Sequence, residues 1–197
     1  MFENTYRCAK KAKEIVSGSQ YWADAELAHR QSVVLLKNNG ALPICRRKKV
    51  YVPGRTIQER KSFFRSMLPA ITVPGMEKDV VEKYYDWAES PEDADFALVC
   101  IDSPITDGGY TEEEGYIPIS LQYRPYTAHT ARAESIGQGD FRETDDPNRS
   151  YRGKTCYPAN ESDLDLVLNT RKAMGTKPVI LVVRMHNPCV LAELEAA

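Results

Sequence analysis

The sequence predicts an α/β fold in three layers, with helices on both faces of a mostly parallel sheet. Two runs point to it, "DFALVCIDS" at 95–103 and "KPVILVVRM" at 177–185. Each is continuously apolar, as strands are when both of their faces are covered. The third observation is order: helical patterns fall between the strand-like runs, as in βαβ units.

Each element has a local reason. Residues 22–37 read as a helix, with Asp24 placed to cap it and Leu27, Val34 and Leu35 at helical spacing. The run Val33-Val34-Leu35-Leu36 is apolar on nearly all sides, so this helix end is expected to be buried. Gly40 can take the positive φ that closes the helix, and Pro43 prevents its resumption. "KKVYVPG" at 48–54 is a short strand ending in a glycine turn. Residues 56–69 and 76–90 carry helical patterns, the second with Val80, Tyr84 and Trp87 able to share a face. The strand at 95–103 is followed by a long irregular segment, 104–157, rich in Gly, Pro, Tyr, Arg and acids. "ESDLDLVLNTRKAMG" at 161–175 is a helix ended by Gly175, residues 177–185 form the next buried strand, and a further helix starts at 188. The result is a flavodoxin-like sandwich carrying a long loop. A segment of that length tends to be functional. It leaves the C-terminal end of a buried strand, where open α/β sheets form their binding crevices.

Composition narrows the function classes. The chain has 197 residues, enough for one domain with a sizeable core. Its net charge of -2 gives no electrostatic footprint for nucleic acid or an anionic membrane. No apolar run approaches the roughly 20 residues that span a bilayer. Cys8, Cys45, Cys100, Cys156 and Cys189 are odd in number and widely spaced, which suggests neither a zinc site nor a disulfide framework. Cys100, inside an apolar run, reads as a buried thiol. Free cysteines and the lack of a basic-then-apolar start favour a reducing, cytoplasmic compartment. His29, His129 and His186 do not cluster as metal ligands would. After the first strand the chain reads Pro53-Gly54-Arg55, without a glycine-rich phosphate loop. No cofactor is therefore expected.

Several stretches, in this order, resemble the C-terminal α/β sandwich domain of glycoside hydrolase family 3, which includes β-glucosidases and β-xylosidases. "FENTY" at 2–6 is similar to the family's "FENPY". "AHRQSVVLLKNNGALPI" at 28–44 is similar to its "A-x-x-S-x-V-L-L-K-N-x-x-x-L-P-L". "YPANESDLDLVLNTRKAMGTKPVILVV" at 157–183 parallels its "LPGNQ-x-x-L-I" helix and following strand. The resemblance implies that residues 1–21 are a linker from a barrel domain and that 22–197 form the sandwich. It also implies that the family's sheet continues beyond Ala197. Lys37 and Asn38 would organise the junction rather than do chemistry. The partners implied are the barrel and a mono- or oligosaccharide.

Retaining glycosidases place two carboxyl groups about the scissile bond, a nucleophile and an acid/base. In family 3 the nucleophile is an Asp on the barrel, and this chain shows no such motif. The acid/base is usually a Glu in "G-E-G-x-D-R" on a sandwich loop. The matching place here reads "SPITDGGYTEEEGYIPISLQY", with Gly108 where that Glu would stand. Candidate acid/base residues are Glu112, Glu113 and Glu114, followed by Asp107 and Glu143. Mutual repulsion in the Glu run can raise one pKa towards that of a proton donor; alternatively the run is a solvated acidic loop. Tyr110 and Tyr116 are candidate sugar-stacking residues, and Tyr123 and Tyr126 belong to the same aromatic set. The same rings could instead pin the loop to the sandwich. Arg124, Arg132, Arg142, Arg149 and Arg152 could pair with acids of the loop or with an acidic sugar. The isolated chain is then an inactive part of a β-glycosidase. The alternatives are a non-catalytic carbohydrate-binding or structural domain, and an unrelated flavodoxin-like module.

Overall fold

The computed structural model describes residues 9–16, 18–61, 67–106, 110–111, 115–133 and 150–195. Two compact units are present, Met1–Leu42 and Pro43–Ala197.

In the first unit α1 (Ala9–Val16), a 3-10 turn (Ser19–Tyr21) and α2 (Trp22–Gln31) follow one another. Asp24 lies inside the first turn of α2 rather than at its cap, and the helix ends at Gln31. The expected helical extension to residue 37 is not formed. Val33, Val34, Leu35 and Leu36 lie outside any helix or strand and are 63–79% exposed. Two adjacent β-branched valines oppose helix propagation. Ser32 supplies the stop by turning its hydroxyl back onto the His29 carbonyl at 2.7 Å. The next turn is built by Asn38. Its Oδ1 accepts the amides of Gly40 and Leu42, each at 3.1 Å, and its Nδ2 donates to the Leu42 carbonyl at 2.8 Å. Gly40 sits at φ 89°, the left-handed region that this loop requires. Asn38 thus organises the loop through its own side chain.

The second unit contains the sheet. Its strands in chain order are β1 (Lys49–Tyr51), β2 (Arg55–Ile57), β3 (Arg60–Lys61), β4 (Met67–Leu68), β5 (Ile71–Val73), β6 (Asp86–Ala88), β7 (Phe96–Asp102), β8 (Tyr110–Thr111), β9 (Gly115–Tyr116), β10 (Tyr126–Thr127), β11 (Thr155–Cys156) and β12 (Val179–Arg184). Its helices are α3 (Lys78–Val81), α4 (Glu161–Met174) and α5 (Ala192–Glu195). The central sheet runs β12-β7-β1-β6, and all three pairings are parallel. The two apolar runs are neighbours: β12 and β7 pair in register from Val179 opposite Ala97 to Arg184 opposite Asp102.

Alternation along β7 creates the three layers. Phe96, with Leu98 beside it, packs with Val50, Val52 and Val81 of α3 on one face. Val99 and Ile101 pack with Leu164 and Val167 of α4 and Leu194 of α5 on the other. A strand buried on both faces has no polar position to spare, which explains the uninterrupted "FALVCID". Cys100 is an exception to expectation: it is only partly buried, although burial still raises its thiol pKa.

Two expected helices are largely strand. Residues 55–61 and 67–73 form two antiparallel ladders, β2 with β5 and β3 with β4. Thr56, Ile57, Ile71, Thr72 and Val73 are β-branched and outweigh the helical pattern. The ladder folds close to the end of β1, because Gly75 lies where a Cβ would stand 2.5 Å from the Pro53 carbonyl oxygen. Within 76–90 only α3 is helical, and the aromatic stretch after it enters the sheet as β6. Arg47 fastens that turn by donating to Asp86 at 2.7 Å and to the carbonyls of Glu82 and Tyr85. The helix at 161–175 is realised as α4, closed by Gly175 at φ 59°. The C-terminal helix is shorter than expected, beginning at Ala192.

Ile101→Ala should lower unfolding stability by about 2–5 kcal/mol, because its side chain is fully buried between sheet and helix. Leu35→Ala, on an exposed position, should change it by no more than about 0.5 kcal/mol. Denaturant unfolding of both variants separates these outcomes. A larger loss for Leu35→Ala than for Ile101→Ala would mean that the core is misplaced.

Candidate functional site

Chain order places a topological switch between β1 and β7. From β1 the chain goes to β6 on one side, then crosses back to β7 and on to β12 at the other edge. Crevices of open α/β sheets lie at the C-terminal strand ends beside such a point. Here those ends carry charge. Arg55 follows β1, Asp102 closes β7, Arg184 closes β12, and α4 brings Asp163 in its first turn.

Arg55, Asp102 and Asp163 are all buried. The Arg55 guanidinium donates Nε to Asp163 Oδ1 at 2.6 Å and Nη2 to Asp163 Oδ2 at 2.8 Å. Its Nη1 donates to Asp102 Oδ2. Asp163 Oδ2 also accepts from Asn160 Nδ2 at 2.8 Å. The amide of Asn160 reaches the Ser103 carbonyl at 3.1 Å as well, and its Oδ1 accepts the Ile105 amide at 2.8 Å. On the outer side, Asp102 Oδ1 accepts Arg184 Nε at 2.7 Å, and His186 Nε2 stands 3.6 Å away. Burial alone would lower the Arg55 pKa, but the paired Asp163 and Asp102 outweigh it and raise it above the ordinary value. Burial would raise the Asp102 pKa, but Arg55 and then Arg184 overcome this and hold the carboxyl below its ordinary range.

The long segment is anchored to this cluster at its base. Ala159 donates its amide to the Ile105 carbonyl at 2.7 Å, and Thr106 bridges Pro158. Above them β10 and β11 pair antiparallel. Tyr123 is fully buried and donates its hydroxyl to the Asp102 carbonyl at 2.7 Å; burial raises its pKa. The amides of Tyr123 and Arg124 donate to the Glu193 carboxylate at 2.6 and 3.2 Å, and Arg124 grips Glu161 and Asp165 of α4. Tyr123 therefore pins the segment rather than presenting a ring to a sugar. Tyr126, half-buried, donates to the Ile119 carbonyl.

Of the residues singled out by sequence, Asp107, Glu112, Glu113, Glu114 and Glu143 lie outside the described residues. Tyr110 and Tyr116 are backbone partners across the β8–β9 ladder. The Arg55 cluster was missed. One signal was available: each of its strand-end charges, in "PGRT", "CIDS" and "VVRM", follows directly on an apolar run. Among the described residues no group of three or more His, Cys, Asp or Glu is placed to hold a metal ion. No helix there is long and apolar enough to cross a membrane.

Asp163→Asn should destabilise the fold by about 3–5 kcal/mol, since it leaves the buried Arg55 charge short of a partner. The Asp102 carboxyl binds its proton less readily in the folded than in the unfolded chain. Its contribution to stability is therefore complete above the unfolded value of about 3.9 and is lost as pH falls through the lowered folded value. Asp102→Asn should flatten that acid limb in a pH series of unfolding curves. An unchanged limb would remove Asp102 from the account.

Comparison with known proteins returns no matching family model, no matching curated protein and no matching solved structure, so functional inference rests on the chain's own residues.

Proposed function

We propose that this chain is the α/β sandwich domain of a β-glycosidase of the family 3 type, acting on terminal β-linked sugars together with a barrel that bears the nucleophile. The observation that carries this reading is the origin of the long segment. It leaves β7 at the C-terminal edge beside the switch point, is clamped at its base, and returns to α4. An acid/base loop reaching across to a barrel needs such a rigid base and a long reach. The motifs "FENTY", "VVLLKN…LPI" and "YPANESDLDLVL" support the same reading. On this account the domain supplies support and a proton donor, while the covalent step occurs on an Asp of the barrel.

A second reading, a non-catalytic carbohydrate-binding or structural domain, is favoured by Gly108 in the place of the family's Glu and by the pinning role of Tyr123.

The isolated chain should not hydrolyse aryl β-glucosides or β-xylosides above a denatured control; clear turnover would overturn the domain reading. In the full-length parent, Asp107, Glu112, Glu113, Glu114 and Glu143 are each changed to the amide and to Ala. Loss of the acid/base should slow substrates with poor leaving groups by about 100-fold or more while sparing activated ones, with azide rescuing the Ala variant. If all five positions behave like the parent on both substrate types, the second reading replaces the first.

A further inference from the structure

The geometry points to an oxyanion-binding site at the C-terminal edge of the sheet, in which Arg184 and His186 receive a carboxylate or phosphate group of a ligand.

Pairing of β12 with β7 sets Arg184 opposite Asp102 at the C-terminal edge. Asp102 is fixed from behind, because Arg55 holds its Oδ2 and Tyr123 holds its backbone carbonyl. Its Oδ1 then anchors Arg184 through Nε. A guanidinium has five N–H donors. Among the described residues this is the single hydrogen bond of the Arg184 side chain, which is 66% exposed. The rest of the fork faces water. An arginine already anchored at one corner loses less freedom when it grips an anion than a loose surface side chain does. His186 adds a second nitrogen-bearing group: its Nε2 is too far from Asp102 for a hydrogen bond, and the ring is also exposed.

Charge supports an anion rather than a cation. Asp163 spends both oxygens on Arg55 and one of them also on Asn160. Asp102 spends one oxygen on each arginine. Both carboxylates are buried and neutralised, with Arg55 and Arg184 balancing Asp102 and Asp163. The nearby acids of α4, Glu161 and Asp165, are held by Arg124. What the cluster offers outward is the cationic fork, whose planar geometry suits bidentate oxyanions.

The test is an NMR titration of the whole chain, following the Arg184 Nε–H and His186 ring signals. The probes are inorganic phosphate, D-glucuronate and, as a neutral counterpart, D-glucose, with chloride matched throughout. Saturable shifts at both residues are expected with at least one oxyanion and not with glucose. Phosphate alone would indicate a phosphoryl ligand, and glucuronate alone a sugar acid. Arg184→Gln should weaken binding by about tenfold or more, and Asp102→Asn, which frees the anchor, should weaken it with Arg184 still present. Should Arg184→Gln fail to fold, His186→Gln takes its place, with a loss of about fivefold expected. The proposal is overturned if neither oxyanion gives saturable shifts, if glucose shifts the signals equally, or if the variants bind like the parent. The titration needs neither a barrel nor turnover, so its failure is distinguishable from failure of the glycosidase reading.

Discussion

Arg55 joins parts of the chain that are far apart in sequence. It follows the first strand, yet its guanidinium reaches the end of β7 and a carboxylate 108 positions further on. Without it, two acids would be buried together at the C-terminal edge, a costly arrangement because each charge would lack a counterion. With it, the strand end, the α4 terminus and the base of the long segment share one hydrogen-bonded centre through Asn160. Such a pair need not add net stability, because desolvation offsets much of the attraction. What the geometry shows is a tie: the first turn of α4 is fastened to the end of β7 where Asp163 meets Arg55.

That centre holds both ends of the segment after β7 close to the sheet. The chain departs at Ser103 and returns at Asn160, and both residues are buried beside the Arg55 pair. Tyr123 and Glu193 then hold the intervening chain to the sheet and to α5. A binding or catalytic loop built on this base would be positioned by the scaffold rather than by its own stiffness.

The most legible parts of the fold in the sequence were those whose burial admits one pattern. Packed on both faces, β7 had to be almost continuously apolar; β12, at the sheet edge, is apolar although it is only half-buried and exposes Val182; α4 shows its helical period up to a glycine stop. Less legible were 55–61, 67–73 and β6, where a helical pattern masked β-branched and aromatic residues that found strand partners. The run at 33–36 misled for a related reason: apolarity was read as burial, although two valines favour an extended chain. For the candidate site, "CIDS" and "VVRM" showed charge at strand ends, but nothing local announces that Arg55 and Asp163 meet. That pairing is a property of topology. It becomes visible once the strand order brings the ends together.

The exposed stretch after α2 carries one more consequence. Proteases cut exposed chain that is free of helix and strand, and residues 33–36 are such chain, with four large exposed apolar side chains. All the buried hydrophobic residues among those described lie between Val50 and Leu194, beyond this stretch. A nick here would sever the chain while leaving every core contact intact. Limited digestion should therefore trim the protein in this stretch long before it attacks the sheet, and the trimmed product should keep its Arg55 cluster.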